Sequence, residues 1–287
     1  MPDPSGSAAA PLLAGLSSLV YGGADFSGGL ASKRADGITV TFISQVCGVI
    51  ALAVALALWP DVTVTAPDLW WGAAGGLAGG FGLMFFYPAL AAGPMSIVAP
   101  TTALCSAIVP LVVGLARGDR PSTLALVGVG IALPAIALVA RERSEHHEHV
   151  TQRTVASAIT AGVGFGLFFV FLGEASGDAG LWPLVGARAG SLSLLVVVLL
   201  ATRRSFAIPR GARRLTLLAG VGDIVANGLY VLALADGLVS VVAVVGSMYP
   251  ASTVVLARVV LGERMSRAQV VGLFLAGTAL ALVALGR

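Results

Sequence analysis

Charged side chains are scarce in this sequence, and their scarcity excludes a water-soluble globular protein. Only 11% of the 287 residues are Asp, Glu, Lys or Arg, whereas a soluble domain carries about 25%. So few charges cannot cover a surface that faces water. Because 57% of the residues are hydrophobic and the mean hydropathy is +0.95, lipid must be the main solvent of the chain.

Further absences exclude several kinds of site. The two cysteines, Cys47 and Cys105, lie in apolar runs, so no disulfide framework is expected. The basic residues are scattered through short loops, which excludes a nucleic-acid-binding face, and no phosphate-binding loop is present. The cluster at 146–149 contains all three histidines but lies in a charged linker, which favours a solvated loop over a metal site. We therefore expect no cofactor, no metal and no nucleic-acid partner.

What the sequence does contain is a series of long apolar runs. A membrane-spanning helix needs about 20 mostly apolar residues, and this length predicts an all-α integral membrane protein with ten transmembrane helices. The longest polar stretch, 141–153, reads as a linker between two halves. The predicted spans are Ala10–Ala31, Gly37–Trp59, Leu69–Ala91, Met95–Ala116, Thr123–Ala140, Thr154–Gly173, Gly180–Thr202, Leu215–Ala235, Leu238–Val260 and Ala268–Leu285.

The two halves are related by an internal repeat. An offset of 144 residues, without gaps, aligns the charged loop 118–122 with 262–266, Gly22 with Gly166, and Gly128 with Gly272. The repeat predicts one unit at 1–144 and a second at 145–287. Because each unit has five spans, an odd number, the second must be inverted relative to the first. Inverted five-helix repeats are typical of secondary transporters, which bind substrate between the repeats.

The repeated motifs resemble those of a known family. They are Gly118-Asp119-Arg120 with Gly262-Glu263-Arg264, the segment 89–93 with its copy 233–237, and Pro250. Together they resemble the EamA-type ten-helix branch of the drug/metabolite transporter superfamily. The resemblance implies transport, often export, of a small metabolite or drug, and not an enzyme. The first half departs from the family pattern, since Asp119 replaces the usual Glu and Pro110 is displaced by four residues from the position equivalent to Pro250.

The distribution of basic residues bears on orientation. Loops after odd-numbered spans hold twelve Lys and Arg residues, and the opposite side holds three. Because positive charge stays in the cytoplasm, the count places both termini outside, whereas the family resemblance implies both termini inside. We favour the charge count. Lys33 is the sole lysine, and this preference for Arg indicates GC-rich codon usage and hence a bacterial cytoplasmic membrane.

Four polar residues stand out within the predicted spans: Asp25, Arg188, Asp223 and Asn227. Ionisable groups in a membrane are costly and mark functional sites. Counted from the side of the odd-numbered loops, Asp25 lies about 9 Å deep, Asp223 about 12 Å, and the other two about 20 Å. We predict that the two acids share a level and bind a cation or proton, with Arg188 as their partner or as the anchor for a substrate carboxylate.

Each acid also has a purely structural interpretation. Asp223 and Arg188 could form an ion pair that only neutralises both side chains, and Asp25 could pair with Lys33 or Arg34 near the interface. Two tyrosines are predicted to line a cavity. Tyr21 lies one turn from Asp25 on the same helix face, and Tyr230 is similarly placed relative to Asn227.

The sequence thus predicts a secondary active transporter, an efflux permease for a metabolite, amino acid or drug-like cation, driven by proton or substrate exchange. One alternative is an intramembrane aspartyl protease, since Gly220-Val221-Gly222-Asp223 resembles its signature and Asp25 could supply the second acid. Against a protease, the first acid lies seven helices away and the full-length repeat has no role. Ten helices can enclose a cavity alone, so we expect a monomer or a weak homodimer in the lipid bilayer.

Overall fold

A computed structural model describes residues 9–58, 62–92, 95–139, 151–261 and 266–286. Three features of the sequence lie outside the described residues: the boundary between the repeats at 144/145, the histidine cluster 146–149, and most of the second charged loop at 262–265. The division into units 1–144 and 145–287 therefore stays a prediction.

The described residues form helices and no strand. The all-α prediction is confirmed, and most predicted spans agree with a helix to within three residues. A short 3-10 turn, Gly177–Ala179, precedes α7. The helices are α1 Ala9–Ser32, α2 Gly37–Ala57, α3 Ala66–Ala92, α4 Met95–Ala116, α5 Thr123–Val139, α6 Gln152–Leu172, α7 Pro183–Ala201, α8 Arg210–Asp236, α9 Val239–Gly246, α10 Pro250–Leu261 and α11 Arg267–Leu285.

The helices have the length and apolarity of membrane spans. Seven segments of the described chain qualify on both criteria, with α9 and α10 counted together, and two shorter apolar helices lie at 101–116 and 123–139. Helix α1 is long enough but too polar, because it carries Asp25 and several serines and glycines. Large apolar side chains point outward, including Phe274 at 75% exposed and Ile50 at 67%. Lipid is the solvent that suits this surface, and the fold is that of a multi-pass membrane protein.

Helix α8 begins at Arg210, five residues before the predicted start at Leu215. Pro209 immediately precedes it, and its first turns carry three arginines. The apolar pattern marks only the part of a helix that lies in hydrocarbon. It therefore missed these turns, which extend past the apolar run.

The ninth span is broken in the middle. Helix α9 ends at Gly246 and α10 begins at Pro250, with the turn Ser247–Tyr249 between them. Proline has no N–H to donate, and its ring collides with the carbonyl four residues earlier, which favours a break at this point. Non-helical backbone at membrane depth is tolerated where it is buried in protein or lines a cavity. Tyr249, which is 4% exposed, satisfies that condition.

The contacts between the two halves repeat with the 144-residue offset. A Cβ added to Gly128 on α5 would lie 2.8 Å from Cγ2 of Val283 on α11, and a Cβ on Gly272 would lie 2.8 Å from Cγ2 of Val139. The offset converts the first contact into the second. The same offset makes α1, α2 and α3 equivalent to α6, α7 and α8. The packing of α1 on α8 is accordingly matched by that of α6 on α3, and the packing of α2 on α8 by that of α7 on α3. This is the packing expected of two repeats related by a pseudo-twofold axis.

Glycines allow α3 and α7 to pack with their backbones in contact. A Cβ on Gly76 would lie 1.9 Å from the carbonyl oxygen of Ala187, and a Cβ on Gly190 would lie 2.2 Å from the carbonyl oxygen of Ala73. Small residues at such spacing are how membrane helices approach closely. The close approach fixes α7, and with it Arg188, against the interior of the bundle.

The loops of the two halves meet at both ends of the bundle. At one end, which we call the basic end, Arg204 forms an ion pair with Asp36. At the other end, Arg117 forms an ion pair with Glu174. Each pair joins a residue of the first half to a residue of the second. Loops after odd-numbered spans therefore gather at one end and loops after even-numbered spans at the other.

Candidate functional site

A cavity of about 60 Å³ lies between the two halves. Five of the six predicted site residues line it, and Tyr230 does not. The lining residues are Tyr21, Asp25, Gln45, Gly76, Gly79, Gly80, Leu83, Phe165, Phe168, Phe169, Leu184, Ala187, Arg188, Ser191, Asp223, Asn227 and Tyr249.

Arg188 is the centre of a polar cluster at the cavity wall. Its Nη2 lies 2.5 Å from Oδ2 of Asp223, and its Nη1 donates a hydrogen bond to Oε1 of Gln45. The same Gln45 oxygen accepts a hydrogen bond from Ser191 Oγ at 3.0 Å. Only Nε of the guanidinium is buried without a hydrogen-bond partner among the described residues. The expected ion pair between Asp223 and Arg188 is therefore present, and a neutral amide completes it.

Helix α2 leaves room for this guanidinium. A Cβ on Gly48 would lie 3.3 Å from Nη2 of Arg188 and 3.2 Å from the carbonyl oxygen of Gly220 on α8. The guanidinium of Arg188 and the carboxylate of Asp223 meet at the same place in the bundle, 2.5 Å apart.

Asp25 lies beside Asp223 across the contact of α1 with α8. A Cβ on Gly222 would lie 3.1 Å from Cβ of Ala24. Asp223 directly follows Gly222 in the chain, and Asp25 directly follows Ala24. The two carboxylates therefore share a level. Asp25 forms no ion pair with any described residue, and Arg34, one of its expected partners, donates instead to the carbonyl oxygen of Gly211 at 3.0 Å.

Tyr21 and Asn227 join α1 to α8 next to the acids. The Tyr21 hydroxyl donates to Oδ1 of Asn227 at 2.8 Å, and Nδ2 of Asn227 donates to the backbone carbonyl of Asp223 at 2.7 Å. One turn away, Ser17 Oγ donates to the carbonyl oxygen of Ala226 at 2.7 Å. These bonds hold the acids on a fixed backbone.

Aromatic rings form the opposite wall. Phe165, Phe168 and Phe169 project from α6, and the ring of Phe168 lies against α3 where a Cβ on Gly79 would be 3.0 Å from it. Tyr230 is placed behind this wall, fully buried, with its ring stacked on Phe169 at a centroid distance of 4.4 Å. It supports the lining without being part of it.

Sequence reasoning missed Gln45, Ser191 and the three phenylalanines. Gln45 is an uncharged polar residue within a long apolar run, a weaker signal than an acid. The phenylalanines were detectable in two ways. Their spacing places them on one helix face, and the repeat offset pairs Phe165 with Tyr21 and Phe169 with Asp25.

Comparisons with known proteins agree with this architecture. The profile of the EamA-like transporter family matches residues 152–285, the second half of the chain. This match agrees with the family resemblance seen in the sequence. No curated protein matches significantly. Among 29 matching chains of solved structures, one crystal structure has a TM-score of 0.77 with 16% identity, over 97% of both chains, which shows a shared fold alone.

Proposed function

Starting from the match of its second half to the EamA-like transporter family, we propose that this chain is a secondary active transporter that exports a small organic solute by alternating access. One observation carries the proposal: a cavity between the two halves holds the acids Asp25 and Asp223 at the same level, together with Arg188. Secondary transporters with internal repeats bind substrate at this position.

Alternating access requires that one end of the cavity opens while the other stays closed. The ion pair between Asp36 and Arg204 joins the halves at the basic end, and the pair between Arg117 and Glu174 joins them at the opposite end. Both pairs are present together here. Their side chains are 28% to 54% exposed, and exposed pairs are worth at most about 1 kcal/mol. A contact of this strength suits a gate that must break in every transport cycle.

Proton exchange would drive the cycle through Asp25. Protonation of this carboxylate removes the charge that holds a cationic group, so proton and substrate compete for one site. Asp223 is less suited to this role because its carboxylate is already bound to Arg188. The other titratable side chains that line the cavity are Tyr21 and Tyr249.

We assign the basic end to the cytoplasm of a bacterial cell. Arg34 and Arg204 make contacts there with the facing half, and positive charge is retained on the cytoplasmic side. Both termini then face outward, opposite to the orientation that the family resemblance implies. One chain encloses the cavity, so a monomer in the bilayer suffices for transport.

The protease alternative is disfavoured by the partner of Asp223. Two aspartates that cleave a peptide share one proton and have to approach a common water. Here Oδ2 of Asp223 lies 2.5 Å from a guanidinium, which occupies one of its oxygens.

The test is flux into proteoliposomes containing the purified chain. The substrates are a panel of organic cations and amino acids, offered with and without an imposed pH gradient. We expect gradient-dependent accumulation of at least one member, and its loss in Asp25→Asn. The control Asp178→Asn removes a carboxylate from an exposed loop residue and should transport normally. Absence of flux for every member, from protein shown to be folded, would contradict the proposal.

A further inference from the structure

The charges of the cavity do not balance. It is lined by two carboxylates, Asp25 and Asp223, and one guanidinium, Arg188. The guanidinium binds Asp223 and the Gln45 amide, whereas Asp25 forms no ion pair with a described residue. With all three groups ionised, the cavity carries one negative charge in excess. A charge in a membrane interior is costly unless it is paired, so the excess charge is neutralised by a proton or by the positive group of a ligand.

Arg188 is poorly placed to bind a substrate carboxylate. A bidentate bond to a carboxylate uses two parallel N–H groups of the guanidinium. Two of its five N–H groups already have acceptors, Oε1 of Gln45 and Oδ2 of Asp223. Its positive charge is already paired with the Asp223 carboxylate. A substrate anion would therefore share the guanidinium with a second carboxylate, and the two like charges would repel each other.

Much of the remaining lining is aromatic. Phe165, Phe168 and Phe169 project from α6, and Tyr249 lies at the break between α9 and α10. The ring of Phe168 packs against Gly79 on α3, and it also borders the cavity. Aromatic faces attract cations, and they also stack on flat apolar groups. A slot of this kind suits a planar body that carries a positive group.

On the premise of the proposed transport function, we propose that the substrate is a monovalent organic cation with a flat apolar body. Its positive group pairs with Asp25, next to the Tyr21 hydroxyl that is bonded to Asn227. Its body lies against the rings of Phe165, Phe168 and Phe169. An amino acid or an organic anion binds more weakly, since its carboxylate finds the cationic group of Arg188 already occupied.

Phenyltrimethylammonium is a suitable probe because it has one fixed positive charge and one ring. Binding of the radiolabelled cation is measured on the purified full-length chain in lipid nanodiscs, with phenylalanine and benzoate as competitors. We expect saturable binding that neither competitor displaces. Asp25→Asn should weaken binding at least about tenfold, since breaking a buried charge pair costs more than one decade in affinity. Asp25→Glu should restore most of it, and Asp178→Asn should change nothing.

A second variant keeps the test informative if Asp25→Asn does not fold. Phe168→Leu removes one ring from the slot and should weaken binding roughly threefold or more. Its matched control is Phe274→Leu, which removes a ring that is 75% exposed on the outer surface. Unchanged affinity in both Asp25→Asn and Phe168→Leu would overturn the assignment, as would displacement of the probe by benzoate in an Arg188-dependent manner.

Failure of this inference can be told apart from failure of the transport proposal. Flux of phenylalanine in proteoliposomes that is independent of Asp25 would support the transport proposal and refute the proposal of a cationic substrate. Probe binding that depends on Asp25, without flux of any substrate, would support the proposed cation site and refute the transport proposal.

Discussion

Removal of the Asp223 carboxylate should destabilise the protein through the charge that it leaves behind. In Asp223→Ala, the guanidinium of Arg188 keeps its bond to Gln45 but loses the carboxylate 2.5 Å away. Breaking a buried ion pair costs about 3–5 kcal/mol. The side chains are 9% and 21% exposed, so water from the cavity reaches the pair and the expected loss is reduced to about 2–3 kcal/mol.

The assay is thermal unfolding in detergent, followed by circular dichroism. For a chain of this length the loss corresponds to a fall in Tm of roughly 2–4 °C per kcal/mol. The double variant Arg188→Met with Asp223→Leu removes both charges and should regain most of the Tm, because a buried pair replaced by apolar side chains is often neutral. A double variant as unstable as Asp223→Ala, or a single variant with unchanged Tm, would refute the reasoning.

Three further predictions concern the frame around the site. Gly76→Ala places a Cβ 1.9 Å from a carbonyl oxygen of the facing helix and should lower the Tm by several degrees. The control Gly130→Ala adds a Cβ with no atom within 4 Å and should leave the Tm unchanged or raise it. Asp36→Asn should change Tm little, since exposed pairs contribute about 0–1 kcal/mol, but should alter the flux rate, and Arg204→Gln should reproduce its effect. Asp68 accepts two backbone N–H bonds from different loops, so Asp68→Ala should cost about 1.5–3 kcal/mol in unfolding free energy, measurable by the same thermal assay.

The helices were predictable because each apolar run had to span the same thickness of hydrocarbon. The same criterion failed where the helix leaves the hydrocarbon, as at Arg210, or breaks inside it, as at Ser247. Pro250 was visible in the sequence, yet Pro110, four residues from the equivalent position, lies within the continuous helix α4. A proline alone therefore does not determine whether a span is broken.

The charged part of the site was predictable because acids and arginines are rare in spans. Their pairing was not, since it depends on which helices pack together. Tyr230 shows the limit of spacing arguments. It lies three residues from Asn227, which places it roughly 60° away around the helix, and this rotation directs its ring onto Phe169 instead of into the cavity.

The inverted repeat explains how one wall became polar and the other aromatic. The 144-residue offset pairs Tyr21 with Phe165, Asp25 with Phe169, Gly79 with Asp223 and Leu83 with Asn227, and all eight residues line the cavity. The cavity therefore lies where equivalent positions of both halves converge. In the last three pairs one half supplies a polar side chain and the other an apolar one, so the polar groups collect on α1 and α8 and the rings on α6. Had the repeat kept identical residues, a further acid would occupy the position of Phe169. The cavity would then be lined by three acids and would lack the ring of Phe169.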